Sequence, residues 1–115
     1  MEKIIENAIE IINQTDCVME YNFSVNDLIV KLVSRGDYKN LLSFIELVQE
    51  SNPENLILSY VKALAYFKLN KFDNAKRSIP IEIPETSEVF YKKFRERCYQ
   101  LRQEISKIEG FANLI

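Results

Sequence analysis

The chain contains no histidine. That removes the usual general base, the imidazole metal ligand and every Ser–His or Cys–His pairing. It has only two glycines and three prolines in 115 residues. So few turn formers argue against a sandwich or barrel of many short strands and favour long helices. The two cysteines, Cys17 and Cys98, are too few for a thiolate zinc site. Far apart, in a chain whose start reads as no secretory signal, they are expected to be free thiols in a reducing, cytoplasmic compartment. No apolar run approaches the roughly 20 residues needed to span a membrane. The N-terminal MEKIIENAIEII is acidic and amphipathic, unlike a signal or transit peptide. There is no charge excess either: the net charge is −2, and both signs are mixed along the chain. Nothing global therefore points to nucleic acid. No glycine-rich phosphate loop is present.

What remains is a hydrophobic share of 47% with 28% charged residues, which is enough apolar surface for a single folded domain spanning 1–115. The pattern of that surface is helical throughout, and the fold class expected is all-α. Residues 2–20 place Ile4, Ile5, Ala8, Ile11, Ile12, Val18 and Met19 on one side of a helical wheel. Ser24 and Asp27 have the spacing of a capping box for a second helix over about 25–35, with Val25, Leu28, Ile29 and Leu32 inward. Gly36 stops it. A third helix over about 38–51 carries Leu41, Leu42, Ile45 and Val48, and Asn52-Pro53 ends it.

A fourth helix, about 54–69, is apolar nearly all round and should be covered on most sides. NKFDNAKRSI reads as a turn and a short fifth helix stopped by Pro80. PIEIPE, with prolines at 80 and 84, is an extended connector. Thr86 or Ser87 can cap a last helix over about 87–109, ending near Gly110. Its apolar stripe is Phe90, Phe94, Cys98, Leu101, Ile105 and Ile108, within about 80° of arc.

A shift of 34 residues lays LVSRGDYKNLLSFI from Leu32 over YFKLNKFDNAKRSI from Tyr66. Gly36 then meets Asn70, and both residue types tolerate positive φ. Tyr38 meets Phe72, Leu41 meets Ala75 and Ile45 meets Ile79. With GDY and Pro53 in the first unit, and Ala63, Tyr66, Phe72 and Ala75 in the second, the chain resembles the tetratricopeptide-repeat (TPR) family over about residues 22–79. The resemblance divides it into a helix 2–20, a repeat at about 22–55, a second at about 56–80 and a terminal helix. It departs from the family at Ile29 and Leu41, where smaller residues are usual, so the first helix pair should pack more widely. One helix pair cannot bury its own apolar face, so the one-sided helices 2–20 and 87–109 suit the role of caps.

The resemblance implies a concave groove lined by Asn26, Val30, Val33, Ile57, Tyr60, Leu64, Phe67 and Lys68. The family's Lys/Arg/Asn carboxylate clamp is absent from these mostly apolar positions, and an amphipathic helix suits them better. That helix is either a partner's or the chain's own 2–20 or 87–109. A second feature is a strip of Lys92, Arg95, Tyr99 and Arg102 along one face of the last helix. It is either a surface for an acidic partner or RNA, or simply a solvated face bordered by Glu96 and Glu104. Glu46, Glu50, Glu82 and Glu85 read as solvated too. Cys98, on the apolar stripe, reads as a small buried hydrophobe rather than a nucleophile.

No catalytic, metal-binding or cofactor-binding residue is identified, and no cofactor is expected. The resemblance implies a non-enzymatic module that binds protein partners, an adaptor or scaffold subunit. Small TPR chaperones that shield secretion-system subunits are an alternative, and RNA binding through the basic strip a more distant one. Nucleic acid and membrane are disfavoured as partners, and a homo-oligomer is left open.

Overall fold

The computed structural model describes residues 2–14, 24–51, 53, 55–83 and 88–113. These residues form six α-helices and no strand: α1 Lys3–Asn13, α2 Ser24–Arg35, α3 Tyr38–Gln49, α4 Leu56–Lys68, α5 Phe72–Ser78 and α6 Val89–Asn113. The fold is all-α. α4 lies at the centre, packed against α3 and α5 on one side and against α1 and α6 on the other.

The joins between α2 and α3 and between α4 and α5 are the same turn. Gly36 has φ +70° and Asn70 has φ +64°. In the first turn the Gly36 amide donates to Val33 O at 3.1 Å and the Asp37 amide to Leu32 O at 3.0 Å. In the second, the Asn70 amide donates to Phe67 O at 3.0 Å and the Lys71 amide to Tyr66 O at 2.9 Å. These are paired Schellman bonds, which satisfy two otherwise orphaned carbonyls at each helix end. Asp37 and Lys71 follow with nearly equal backbone angles, φ −88°, ψ 67° and φ −97°, ψ 71°. Tyr38 and Phe72 are then the first residues of their helices, both half-buried.

Burial repeats at the same offset. Ile29 and Ala63, Val33 and Phe67, Leu41 and Ala75, and Ile45 and Ile79 are all buried. Side-chain size does not repeat. Ala63 and Ala75 stand where the first pair has Ile29 and Leu41. The α4 and α5 backbones accordingly run close together over more of their length than those of α2 and α3.

Several helix ends differ from the expected ones. Of the expected helix 2–20, the described part is α1, Lys3–Asn13, with Gln14 as its C-cap. The side chain of Asn26 meets the last turn of α1: its Nδ2 donates to Ile12 O at 3.3 Å. The rest of the expected helix, with Cys17, Val18 and Met19, lies outside the described residues. So do the side chain of Ser24, and hence the capping box, and the proposed caps Thr86 and Ser87. α4 is capped by Asn55, whose Oδ1 accepts from the amides of Ile57 at 3.0 Å and Leu58 at 3.1 Å. Ile79, held extended at ψ 125° before Pro80, ends α5.

α6 does not end at Gly110; it continues to Asn113. A glycine inside a helix costs about 1 kcal/mol relative to alanine, which a long helix absorbs. Two stripe residues are also corrected. Leu28 is exposed because the inward line of α2 runs through Val25, Ile29 and Val33, which turns Leu28 about 100° away from its centre. Ile108 is exposed as well.

Candidate functional site

The apolar positions expected to line a groove form the centre of the core. Val33, Tyr60 and Leu64 are 1%, 1% and 0% exposed, and Ile57 and Phe67 are buried. Val30 is half-buried. α1 and α6 cover this face of α4. From α6 the Phe94 ring meets Tyr60 edge-on, with centroids 5.7 Å apart and planes at 83°. Phe90 stacks on Phe94 at 6.0 Å. From α1 come Ile5, Ala8, Ile11 and Ile12, all buried. Apart from half-buried Val30, these apolar positions are closed off in the core, with the chain's own two terminal helices packed over α4. The sequence left that choice undecided, since each of those helices has a stripe able to do the filling.

The two polar groove positions behave differently. Asn26 binds the C-terminal turn of α1, as described above. Lys68 forms an ion pair with Glu2, the residue that precedes α1. They hold opposite ends of the same helix. Between them α1 runs antiparallel to α6 and meets it through polar groups. Asn7, 6% exposed, donates from Nδ2 to Gln100 Oε1 at 3.0 Å. Arg97 Nη1 donates to the same oxygen at 3.2 Å. Glu10 accepts from Arg97 Nη2 at 3.5 Å and lies 3.7 Å from Lys93 Nζ. Arg97 Nε is buried without a hydrogen-bond partner. Further along, Lys3, Ile4, Asn7, Gln100, Gln103 and Glu104 line a small pocket of about 230 Å³.

None of Asn7, Glu10, Arg97 or Gln100 was singled out from the sequence. Asn7 adjoins the α1 stripe on the helical wheel, beside Ile11. Arg97 adjoins the α6 stripe. A polar residue flanking an apolar line on each of two helices was the available signal.

The basic strip is on the surface. Lys92, Arg95, Tyr99 and Arg102 are all exposed along α6. Arg102 Nη2 reaches back to donate to Pro80 O at 3.5 Å, and Gln103 Nε2 donates to Tyr99 Oη at 2.9 Å. Tyr99, Arg102, Gln103, Ser106 and Lys107 border an open depression of about 480 Å³.

Burial governs the titratable groups in the core. It pushes the Cys98 thiol up to about 12, against a smaller opposing pull from Arg102. Burial also raises the Tyr60 phenol, helped by the neighbouring Cys98 and opposed by Arg97. Tyr38 is raised by burial too, with Lys68 lowering it and Glu2 raising it. A neutral thiol of this kind is a poor nucleophile. Among the described residues no group of three or more His, Cys, Asp or Glu is placed to hold a metal ion, and no helix is long and apolar enough to cross a membrane. No protein-family model, curated protein or solved structure matches the chain.

Proposed function

We propose that the chain is a TPR-type helical repeat acting as a non-enzymatic protein–protein interaction module, an adaptor or scaffold subunit of a larger assembly. The observation that carries this reading is the repeated join. Two helix–turn–helix units have matching Schellman bonds, matching positive φ at Gly36 and Asn70, and matching burial, 34 residues apart. Units of this type stack and present a continuous surface to other chains. A chaperone that shields an amphipathic helix is the second reading. It is favoured by the presence of such a helix, α1, lying across the repeated pairs.

Affinity capture with the full chain, followed by mass spectrometry, tests the module. The expected result is a stoichiometric protein partner that survives nuclease treatment. Recovery of RNA alone, lost in a Lys92→Gln, Arg95→Gln, Arg102→Gln chain and in high salt, would overturn the reading in favour of nucleic acid.

A further inference from the structure

The stretch IIENAIEII, residues 4–12, reads the same from either end except at one place: Asn7 stands where the reverse reading has Ile9. A half-turn of α1 about the radial line through Ala8 reverses the helix direction. It also exchanges residues equally far from Ala8, because rise and rotation per residue are constant. Ile4 changes places with Ile12, Ile5 with Ile11 and Glu6 with Glu10. The apolar stripe, and the carboxylate that meets Lys93 and Arg97, are therefore the same in both directions. The length of the connection to α2 imposes no direction. Residues 14–23 can extend over about 33 Å, twice the roughly 16 Å that α1 covers.

We infer that Asn7 fixes the direction in which α1 lies, through Gln100 and Arg97 of α6. Asn7 is 6% exposed, and among the described residues no other polar or charged residue is buried as deeply. Its Nδ2 donates to Gln100 Oε1 at 3.0 Å, and Arg97 Nη1 donates to the same oxygen at 3.2 Å. On the other flank of the stripe Ile9 packs, half-buried, against the core. Reversal sets Ile9 beside Gln100 and Arg97, so Gln100 loses a donor. It sets the Asn7 amide on the apolar surface where Ile9 packs, away from its partner. A buried polar contact of this kind discriminates between packings more than it stabilises one, as a single core asparagine does in a coiled coil.

The contacts at the two ends of α1 discriminate less. Asn26 donates to Ile12 O as α1 lies, and a side-chain amide can equally accept from the first N–H groups of a helix. Lys68 pairs with a Glu2 side chain that is 62% exposed, where an ion pair contributes little.

The test places a nitroxide on Lys107→Cys in a full chain carrying Cys17→Ser; Cys98 is buried and stays unlabelled. Lys107 is exposed on α6, towards the end of the helix that meets Lys3. Amide broadening is read by NMR. In this parent, Lys3 and Ile4 should be broadened and Ile12 and Asn13 spared. Asn7→Ile with Ile9→Asn leaves the composition unchanged and should exchange the pattern, so that Ile12 and Asn13 broaden instead. Asn7→Ile alone makes the stretch symmetrical. Both patterns should then coexist, in populations within about tenfold of each other.

The parental pattern alone, in either variant, overturns the inference. So does a folded variant in which neither end of α1 is broadened. Should the double variant fail to fold, Asn7→Ile decides, since it only replaces an amide with an apolar side chain.

Discussion

Gly36 and Asn70 occupy the same position of the same turn, with φ of +70° and +64°. The cost of a β-carbon in this conformation should therefore show at Gly36, where alanine adds one, and be small at Asn70, whose residue type tolerates positive φ. At Gly36 the nearest atom to an added Cβ is Tyr38 Cε2 at 3.8 Å, so there is room and the penalty is the backbone's alone. Gly36→Ala should destabilise the fold by about 1–2 kcal/mol, and Asn70→Gly should change it by no more than a few tenths. Urea denaturation followed by circular dichroism reads both. Equal, negligible effects at the two sites would mean that the turns are not held in this conformation.

Leu64 is fully buried beneath the terminal helices, whereas Leu47 of α3 is 61% exposed. Leu64→Ala should cost about 2–5 kcal/mol and Leu47→Ala less than about 0.5 kcal/mol. Leu64→Asp should abolish the fold, because it buries a carboxylate without a counter-ion. A Leu64→Asp chain that stays fully helical and merely loses partners would show that the face over α4 is open in solution.

The core thiol and phenols set an alkaline limit. Cys98 rises from its ordinary value near 9 to about 12 on folding, and Tyr60 and Tyr38 also rise. In the interval above pH 9 the unfolded chain binds fewer protons than the folded one, so stability falls as pH increases. Below pH 9 this contribution from Cys98 is fully present. Thermal melts at pH 8 and pH 11 should show the loss, and Cys98→Ala should flatten part of the slope. In a Cys17→Ser chain, maleimide labelling at pH 8 should wait on unfolding. Rapid labelling of the native chain would place Cys98 at the surface.

The exposed charges along α6 should matter little to folding. Replacing Lys92, Arg95 and Arg102 with Gln should shift stability by less than about 1 kcal/mol, since solvated charges contribute weakly. Calorimetry on the triple variant gives the number. A larger loss would mean that Arg102's contact with Pro80 anchors the connector.

Helix type and the repeated turn were legible because both depend on local chemistry. Apolar spacing marks a helix, and Gly36 and Asn70 are residue types that tolerate positive φ. Helix ends were less so. Asn26 meets Ile12 O across the α1–α2 connection, a contact that no local pattern announces. Gly110 looked like a stop but sits inside α6, because a single glycine lowers helix propensity without forbidding the conformation. The choice between an open groove and a filled one was not legible. Residues at Tyr60, Leu64 and Phe67 are apolar in either case, and only the three-dimensional course of α1 and α6 decides what covers them. Asn7 and Arg97 were overlooked for a related reason: a polar residue beside a stripe becomes a contact only when a second helix supplies its partner.

If α4 is the centre of the core and α1 a terminal helix packed over it, the two should open at different free energies. Native-state hydrogen exchange on the full chain tests it most directly, residue by residue and without mutation. The amides of Ile11, Ile12 and Asn13 are expected to exchange through a sub-global opening of α1 at low denaturant, while Val61, Leu64 and Ala65 of α4 exchange only with global unfolding. Merged exchange, with α1 and α4 opening at one common free energy at all denaturant concentrations, would contradict it and make α1 an inseparable part of the core.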